Sequence, residues 1–139
     1  MQNLGGCLAA VVIVPLIGLF FLIMIPVWRD DARLDDFHAR VLAYPVPPET
    51  RVKGDSDATF GKNSGGSGDY CAYSVRLVLE TRLSQKEIHA HYGRAAIAGP
   101  DNRSRAQVDL RFSEDSGNGG DVTVEFHDIT PSDWDWRCT

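Results

Sequence analysis

The sequence predicts an α+β protein in which an N-terminal transmembrane helix precedes a small antiparallel sheet with helices packed on one face. A charge-free apolar run covers residues 4–28, period-two alternation recurs in the C-terminal part, and two segments carry apolar residues at helical spacing. We divide the chain into a transmembrane anchor (1–28), a juxtamembrane helix with a Pro-rich link (29–48) and a small α+β domain (49–139).

The apolar run LGGCLAAVVIVPLIGLFFLIMIPVW is long enough to cross a bilayer. At about 1.5 Å per residue it extends roughly 37 Å, against about 30 Å of hydrocarbon. A cleaved signal peptide needs a basic start and a small-x-small site after the run, and neither Met1-Gln2-Asn3 nor Ile25–Trp28 supplies them. We therefore expect an uncleaved single-pass anchor with the bilayer as partner of residues 4–28.

Cys7 lies in a Leu4-Gly5-Gly6-Cys7 sequence that has the composition of a lipobox. A lipobox cysteine follows its apolar stretch, whereas this one precedes it. We expect Cys7 to be a membrane-embedded thiol, or a palmitoylation site in a eukaryotic host.

All charged residues lie at or after Arg29, so the formal net charge of −5 belongs to the part outside the apolar run. Nucleic-acid binding requires clustered Lys and Arg, so an acidic domain without a basic stripe argues against it, and against adsorption onto anionic lipid.

The side of the membrane is indicated in two opposite ways. Arg29, Arg33 and Arg40 follow the anchor closely, and the positive-inside rule then places the domain in the cytoplasm. The two domain cysteines, discussed below, favour an oxidising compartment. We expect the domain on the extracytoplasmic side of the cell membrane.

Residues 30–44 are predicted to continue the helix out of the membrane, with Leu34, Phe37, Val41 and Leu42 on one stripe. The prolines at 45, 47 and 48 end it. Short strand fragments are predicted at 51–53 and 58–60, followed by a Gly/Ser-rich loop at 63–69.

The clearest strand is predicted at 70–81, where Cys71 begins an alternating inward face. Ser84 and Glu87 then form the capping box of a helix that we expect to end at Gly99-Pro100. Alternation at 106–112 and 122–126 predicts two more strands.

The loop at 114–121 between those strands has the residue types of a calcium loop but not the ordered ligand alternation of an EF-hand. Asn and Gly are equally what a tight hairpin requires, and we favour the hairpin.

None of the four histidines has a neighbour at metal-ligand spacing. His89 and His91 are two residues apart on a helix and so point to different sides, while His38 and His127 are isolated in sequence. No nucleophile elbow, Ser-x-x-Lys or phosphate loop is present. We predict no catalytic residues, metal ligands or cofactor.

Asp133 and Asp135 alternate with Trp134 and Trp136 in the C-terminal tail. The alternation predicts an edge strand whose tryptophans pack down on the domain and cover the end of a small core. The alternative is that Trp134 and Trp136 contact a protein partner, because Trp is enriched in interface hot spots.

Three stretches carry a resemblance: Pro47-Pro48-Glu-Thr-Arg51, Gly65-Gly-Ser-Gly-Asp-Tyr-Cys71, and Leu79-Glu-Thr-Arg-Leu-Ser with Glu87-Ile88 and His91-Tyr92. The chain resembles small single-pass bacterial membrane proteins with an α+β extracytoplasmic domain. The resemblance implies a bacterial, envelope-exposed protein and implies no activity.

Cys71 and Cys138 are predicted to form a disulfide, because Cys7 lies within the apolar run and cannot reach the domain. The bridge would close a loop of about 68 residues, worth roughly 4 kcal/mol by chain entropy. The alternative is a pair of reduced thiols in a cytoplasmic domain.

The function predicted from these features is that of a membrane-tethered, non-enzymatic extracytoplasmic domain that acts by contact with an unidentified protein partner, for example as an accessory subunit. The alternative is a module that binds a small ligand or an envelope polymer. A hydrolase that uses His and Asp residues is the third alternative.

Overall fold

The computed structural model describes residues 4–63, 65, 70–113, 120–132 and 134–138, and the side chains from residue 11 onward. The predicted loops at 63–69 and 114–121 lie mainly outside these residues, as do Asp133 and the side chain of Cys7. The elements are α1 (Leu4–Ala43), β1 (Thr50–Val52), β2 (Asp57–Lys62), β3 (Tyr70–Thr81), α2 (Gln85–Tyr92), β4 (Gln107–Phe112), β5 (Gly120–Pro131) and a 3₁₀ turn (Trp136–Cys138).

All strand pairs in the sheet are antiparallel. β3 and β5 pair along their full length at its centre, with Leu77 opposite Val124. β4 pairs with β5 on one side, and β1 and β2 both pair with β3 on the other. This arrangement confirms the predicted α+β class and the order helix, strands, helix, strand, strand.

Helix α1 runs without interruption from the apolar segment into the domain. Its 40 residues extend roughly 60 Å, and it is the one described helix long and apolar enough to cross a membrane. Phe37 and Val41 are fully buried against the sheet, and Leu34 is half-buried. Leu42, expected on the same stripe, is 51% exposed because it lies about 100° further around the helix than Val41.

The core lies between the sheet and the two helices. β3 and β5 each bury alternate residues, the pattern that the sequence predicts for a sheet with one covered face. Tyr44 at the end of α1, Tyr92 of α2 and Phe126 of β5 form an aromatic cluster with ring centroids 5.9–6.5 Å apart. Both helices therefore cover the same face.

Helix α2 begins as predicted and ends earlier. The Ser84 side chain accepts from the Glu87 amide, and the Glu87 carboxylate accepts from the Ser84 amide. Hydrogen bonds from Ser84 lower the pKa of Glu87. The predicted end at Gly99-Pro100 is wrong, because Gly93 caps the helix by donating to the His89 carbonyl at 2.8 Å.

The chain after Gly93 forms a turn instead of a further helical turn. The Ala106 amide donates to the Ile97 carbonyl, and the Gly99 amide donates to that of Ser104, both at 2.9 Å. A Cβ at Gly99 would collide with the carboxylate of Asp128, so glycine permits this close approach. Gly99 thus belongs to a turn that packs on β5.

β5 is longer than the predicted 122–126. Asp128 and Thr130 continue its inward face and are buried. Because these two residues are polar, the apolar alternation in the sequence stops at Phe126 although the strand does not.

The predicted C-terminal edge strand is wrong. Trp134 has a left-handed φ of 69°, and Trp136–Cys138 form a 3₁₀ turn. The turn allows the side chains of both Asp135 and Cys138 to be fully buried, which the alternation of an edge strand would not.

Candidate functional site at the base of the domain

The end of the apolar run meets the C-terminal turn, and we call the residues 27–31, Tyr73, Asp135 and Arg137 the base of the domain. Asp30, two residues beyond Trp28, is 1% exposed although it is an acid. Its Oδ1 accepts hydrogen bonds from the Tyr73 hydroxyl and from Arg33, each at 3.0 Å. The helix thus brings a buried carboxyl group to the sheet.

Asp135 is fully buried and bound by its neighbour Arg137. Arg137 Nη2 donates to Asp135 Oδ2 at 2.7 Å, and its Nε lies 3.0 and 3.1 Å from the two carboxylate oxygens. The Arg137 amide also donates to Oδ1 at 2.9 Å. Burial acts to raise the pKa of Asp135, but the hydrogen bonds from Arg137 outweigh it and hold that pKa below its ordinary value.

Arg137 also binds helix α1. Its Nη1 donates to Asp31 at 2.7 Å, and its Nη2 donates to the Val27 carbonyl at 3.2 Å. The guanidinium carbon lies 4.5 Å from the centre of the Phe60 ring. One side chain therefore joins the C-terminal turn to the helix and to the sheet.

The carboxyl group of Asp135 acts electrostatically on that of Asp30. Asp30 Oδ2 is buried and receives no hydrogen bond from any described residue. Burial raises the pKa of Asp30, and the charge of Asp135 adds to this effect. The pKa values of the two buried carboxyl groups are therefore shifted in opposite directions.

The Cys71 and Cys138 sulfur atoms lie at disulfide distance, with the Cα atoms 5.2 Å apart. Both residues are at most 1% exposed. The bridge joins the start of β3 to the turn that carries Arg137, so two linkages hold the C-terminus at the base of the domain.

Trp134 and Trp136 flank buried Asp135 and point into solvent. Trp134 is 91% exposed and Trp136 is 66% exposed. Side chains that cover a core are far less exposed, so the prediction that these tryptophans pack down on the domain is wrong. Contact of Trp134 and Trp136 with a protein partner stays a prediction.

The second candidate surface is the free edge of the sheet at β4. No described residue pairs with the outer side of this strand, apart from the bridge of Ala98 to Arg105 just before it. Between β4 and α2 lies a groove of about 270 Å³, lined by His89, Tyr92, Gly93, Val108, Asp109 and Leu110. The outer edge of β4 therefore lies next to the groove between β4 and α2.

A polar depression of about 450 Å³ lies at the far end of the sheet, where β1 pairs with the end of β3. Its lining residues are Glu49, Thr50, Arg51, Glu80, Thr81 and Arg82. Arg51 donates to Glu80 at 2.7 Å, so part of its charge is already neutralised.

Each histidine has its own separate neighbour. His38 lies 2.6 Å from the Ser56 hydroxyl, His91 lies 2.8 Å from the Pro45 carbonyl, and His127 lies 3.7 Å from Asp109. The His89 ring packs on Phe112. Within the described ranges, no group of three or more His, Cys, Asp and Glu side chains is placed to hold a metal ion.

The sequence predicts the pairing of Cys71 with Cys138, but it does not predict the contacts of Asp30, Tyr73 and Arg137. The available signal was the position of Arg137 between Trp136 and Cys138, together with the acidic pair Asp30-Asp31, which is separated from the apolar run by Arg29 alone.

Comparison of the chain with protein-family models, curated proteins and solved structures finds no match. The resemblance to small bacterial membrane proteins stays a prediction.

The two buried carboxyl groups should differ in their response to amidation. Asp135→Asn removes the charge that Arg137 binds and should lower the free energy of unfolding by about 2–3 kcal/mol at neutral pH, since Arg137 keeps Asp31. Asp30→Asn replaces a buried carboxyl group whose pKa is raised by burial and keeps an acceptor oxygen for Tyr73 and Arg33, so it should cost less than about 1 kcal/mol, or stabilise. Chemical denaturation of the full chain in detergent measures both.

The pH dependence follows from the directions of the two pKa shifts. Asp30 has a raised pKa, so its contribution to stability is lost as pH rises from its ordinary value of 3.8 through the folded value. The free energy of unfolding of Asp30→Asn should therefore rise relative to that of the parent protein as pH rises from about 4 to 7. Asp135 has a lowered pKa, so its contribution is present at neutral pH and lost as pH falls through the folded value. Equal losses from both variants at pH 7 would contradict this description of the pair.

Proposed function

We propose that the chain is a single-pass, uncleaved membrane protein whose domain lies on the extracytoplasmic side and acts by contact with another protein. The tether is supported by the length and apolar character of α1. The contact function is supported by one observation above the others, the free edge strand β4 beside the groove of α2.

The extracytoplasmic side is supported by the pairing of Cys71 with Cys138. Disulfides persist in oxidising compartments and are rare in the cytosol. The basic residues after the anchor favour the opposite side, but Arg33 and Arg40 are used by the fold. Arg33 binds Asp30, and Arg40 donates to the Gly99 carbonyl at 2.8 Å.

The side of the membrane can be tested by alkylating the protein as it comes from cells, without reductant, and mapping the modified peptides. Cys71 and Cys138 should both resist alkylation until reductant is added. Free alkylation of both would show that the disulfide is absent. The positive-inside rule would then be the remaining guide, and it places the domain in the cytoplasm.

Strand addition is the form of contact that fits the β4 edge. An extended segment placed beside Gln107–Phe112 would satisfy backbone groups that face solvent, and its alternate side chains would lie over the groove. Val108 and Leu110 supply an apolar floor, and Tyr92 and Gly93 form the wall from α2. β4 ends close to α2, where the His89 ring lies 5.4 Å from that of Phe112.

The partner fitted by this site is an extended peptide segment of a protein. Main-chain hydrogen bonds provide affinity at such edges, whereas the groove selects the side chains of the incoming strand. The exposed side chains of β4, Gln107, Asp109 and Arg111, are polar and carry both signs of charge. Such an edge resists uncontrolled self-pairing.

A second candidate, binding of a small ligand or envelope polymer, is supported by the polar depression around Thr50 and Thr81. Its walls carry two Arg and two Glu residues, which suits a ligand with hydroxyl groups. This depression and the β4 edge lie on opposite edges of the sheet, so one experiment separates them.

Photo-crosslinking in cells tests the β4 site against a matched control. A photoreactive amino acid replaces Arg111 on β4 in one variant and Arg51 on β1 in the other. Both residues are exposed arginines of edge strands that contact a carboxylate on a central strand. We expect a discrete protein adduct from Arg111 and none from Arg51.

The adduct should then be analysed for strand addition. A synthetic peptide covering the cross-linked segment of the partner should slow amide exchange in β4 and leave β1 unchanged. Adducts from both positions alike, or from neither, would contradict the proposal. An adduct from Arg51 alone would favour the polar depression.

A further inference from the structure

The exposed tryptophans are held at the same level as the end of the apolar run. Trp134 and Trp136 flank Asp135, whose carboxylate is bound by Arg137. The next residue, Arg137, donates to the Val27 carbonyl and to Asp31. The backbone that carries both tryptophans therefore lies beside residues 27–31 of α1, next to Trp28.

The C-terminal segment that carries the two tryptophans is held in position by the domain itself. The disulfide to Cys71 holds its C-terminal end, and the buried Asp135 holds its centre. Tryptophans on such a support lose little conformational freedom on binding, because their backbone is already ordered. Two large aromatic side chains are thus held in solvent at a defined height.

Other exposed apolar side chains lie at the same end of the domain. Tyr70 is 41% exposed and lies opposite Pro131, and Ile129 is 47% exposed opposite Ala72. Both positions adjoin Cys71, whose bridge to Cys138 joins them to the C-terminal turn. Exposed apolar residues thus gather at the end of the domain where the apolar helix leaves it.

We infer that Trp134 and Trp136 insert into the membrane–water interface and seat the domain directly on the bilayer. Tryptophan is enriched at that interface because its ring is apolar while its N–H can bond to water and headgroups. Trp28 at the end of the anchor is 48% exposed and directly follows Val27, whose carbonyl accepts a hydrogen bond from Arg137. The inference rests on the proposed membrane span of α1.

The occupant of this surface is lipid, as the continuity of the surface with the anchor indicates. The guanidinium of Arg137 forms ion pairs with Asp31 and Asp135, so we do not assign it to the binding of anionic headgroups. Insertion would instead be driven by apolar burial of the indole rings, and zwitterionic vesicles suffice as the probe. A protein partner at the two tryptophans is the competing outcome.

Four full-length single-Trp variants in phosphatidylcholine vesicles test this inference. Three keep Trp28, Trp134 or Trp136, with the other two tryptophans replaced by Phe. The fourth replaces all three by Phe and carries Leu42→Trp as a control. Leu42 is 51% exposed and lies roughly 21 Å further along α1 than Trp28.

Emission is measured with lipids brominated on the acyl chains and with aqueous iodide. Trp28, Trp134 and Trp136 should lose emission to the brominated lipids and be shielded from iodide, whereas Leu42→Trp should show the reverse. Quenching of only one of Trp134 and Trp136 supports insertion of that residue.

The inference is overturned if Trp134 and Trp136 both behave like Leu42→Trp while Trp28 is quenched by the brominated lipids. That outcome leaves the span intact and returns the two tryptophans to a protein contact. If the brominated lipids also fail to quench the emission of Trp28, the proposed membrane span of α1 is wrong, and so is this inference.

Discussion

Helix α1 passes from the apolar segment into the domain core without a break, and this continuity sets the position of the other elements. Phe37 and Val41 are fully buried on the sheet, about three turns beyond Trp28. A flexible linker would let the domain sample many distances from the bilayer. If α1 spans the bilayer as proposed, a continuous helix instead holds the base of the sheet next to the membrane, with the polar depression at the opposite end of β3.

The C-terminal turn is ordered by the same constraint. Asp30 must be accommodated where the helix meets the sheet, and a buried carboxyl group is tolerated only with hydrogen-bond partners. Tyr73 and Arg33 supply them for Asp30, and Arg137 binds Asp135. The disulfide of Cys138 holds this assembly closed. Polar burial, the disulfide and the exposed tryptophans are therefore parts of one arrangement around residues 27–31.

The sequence predicts the parts of the fold that depend on local periodicity and capping. The alternation of β3 and the capping box of Ser84 and Glu87 are both found. It does not predict the end of α2 at Tyr92, because pairing of Ile97 with Ala106 overrides a helical pattern. It also misses the base of the domain, since Asp30 and Asp135 are 105 residues apart and their pairing depends on tertiary contacts alone.

Hydrogen exchange of residues 29–36 in the full-length protein, reconstituted in lipid nanodiscs, tests the continuity of α1 most directly. If the helix is one rigid element from the bilayer into the core, these amides should be protected to a degree similar to those of β3, since both open only with the domain. Exchange of residues 29–36 as fast as that of an exposed loop, with β3 still protected, would reveal a hinge and contradict the direct seating of the domain on the membrane.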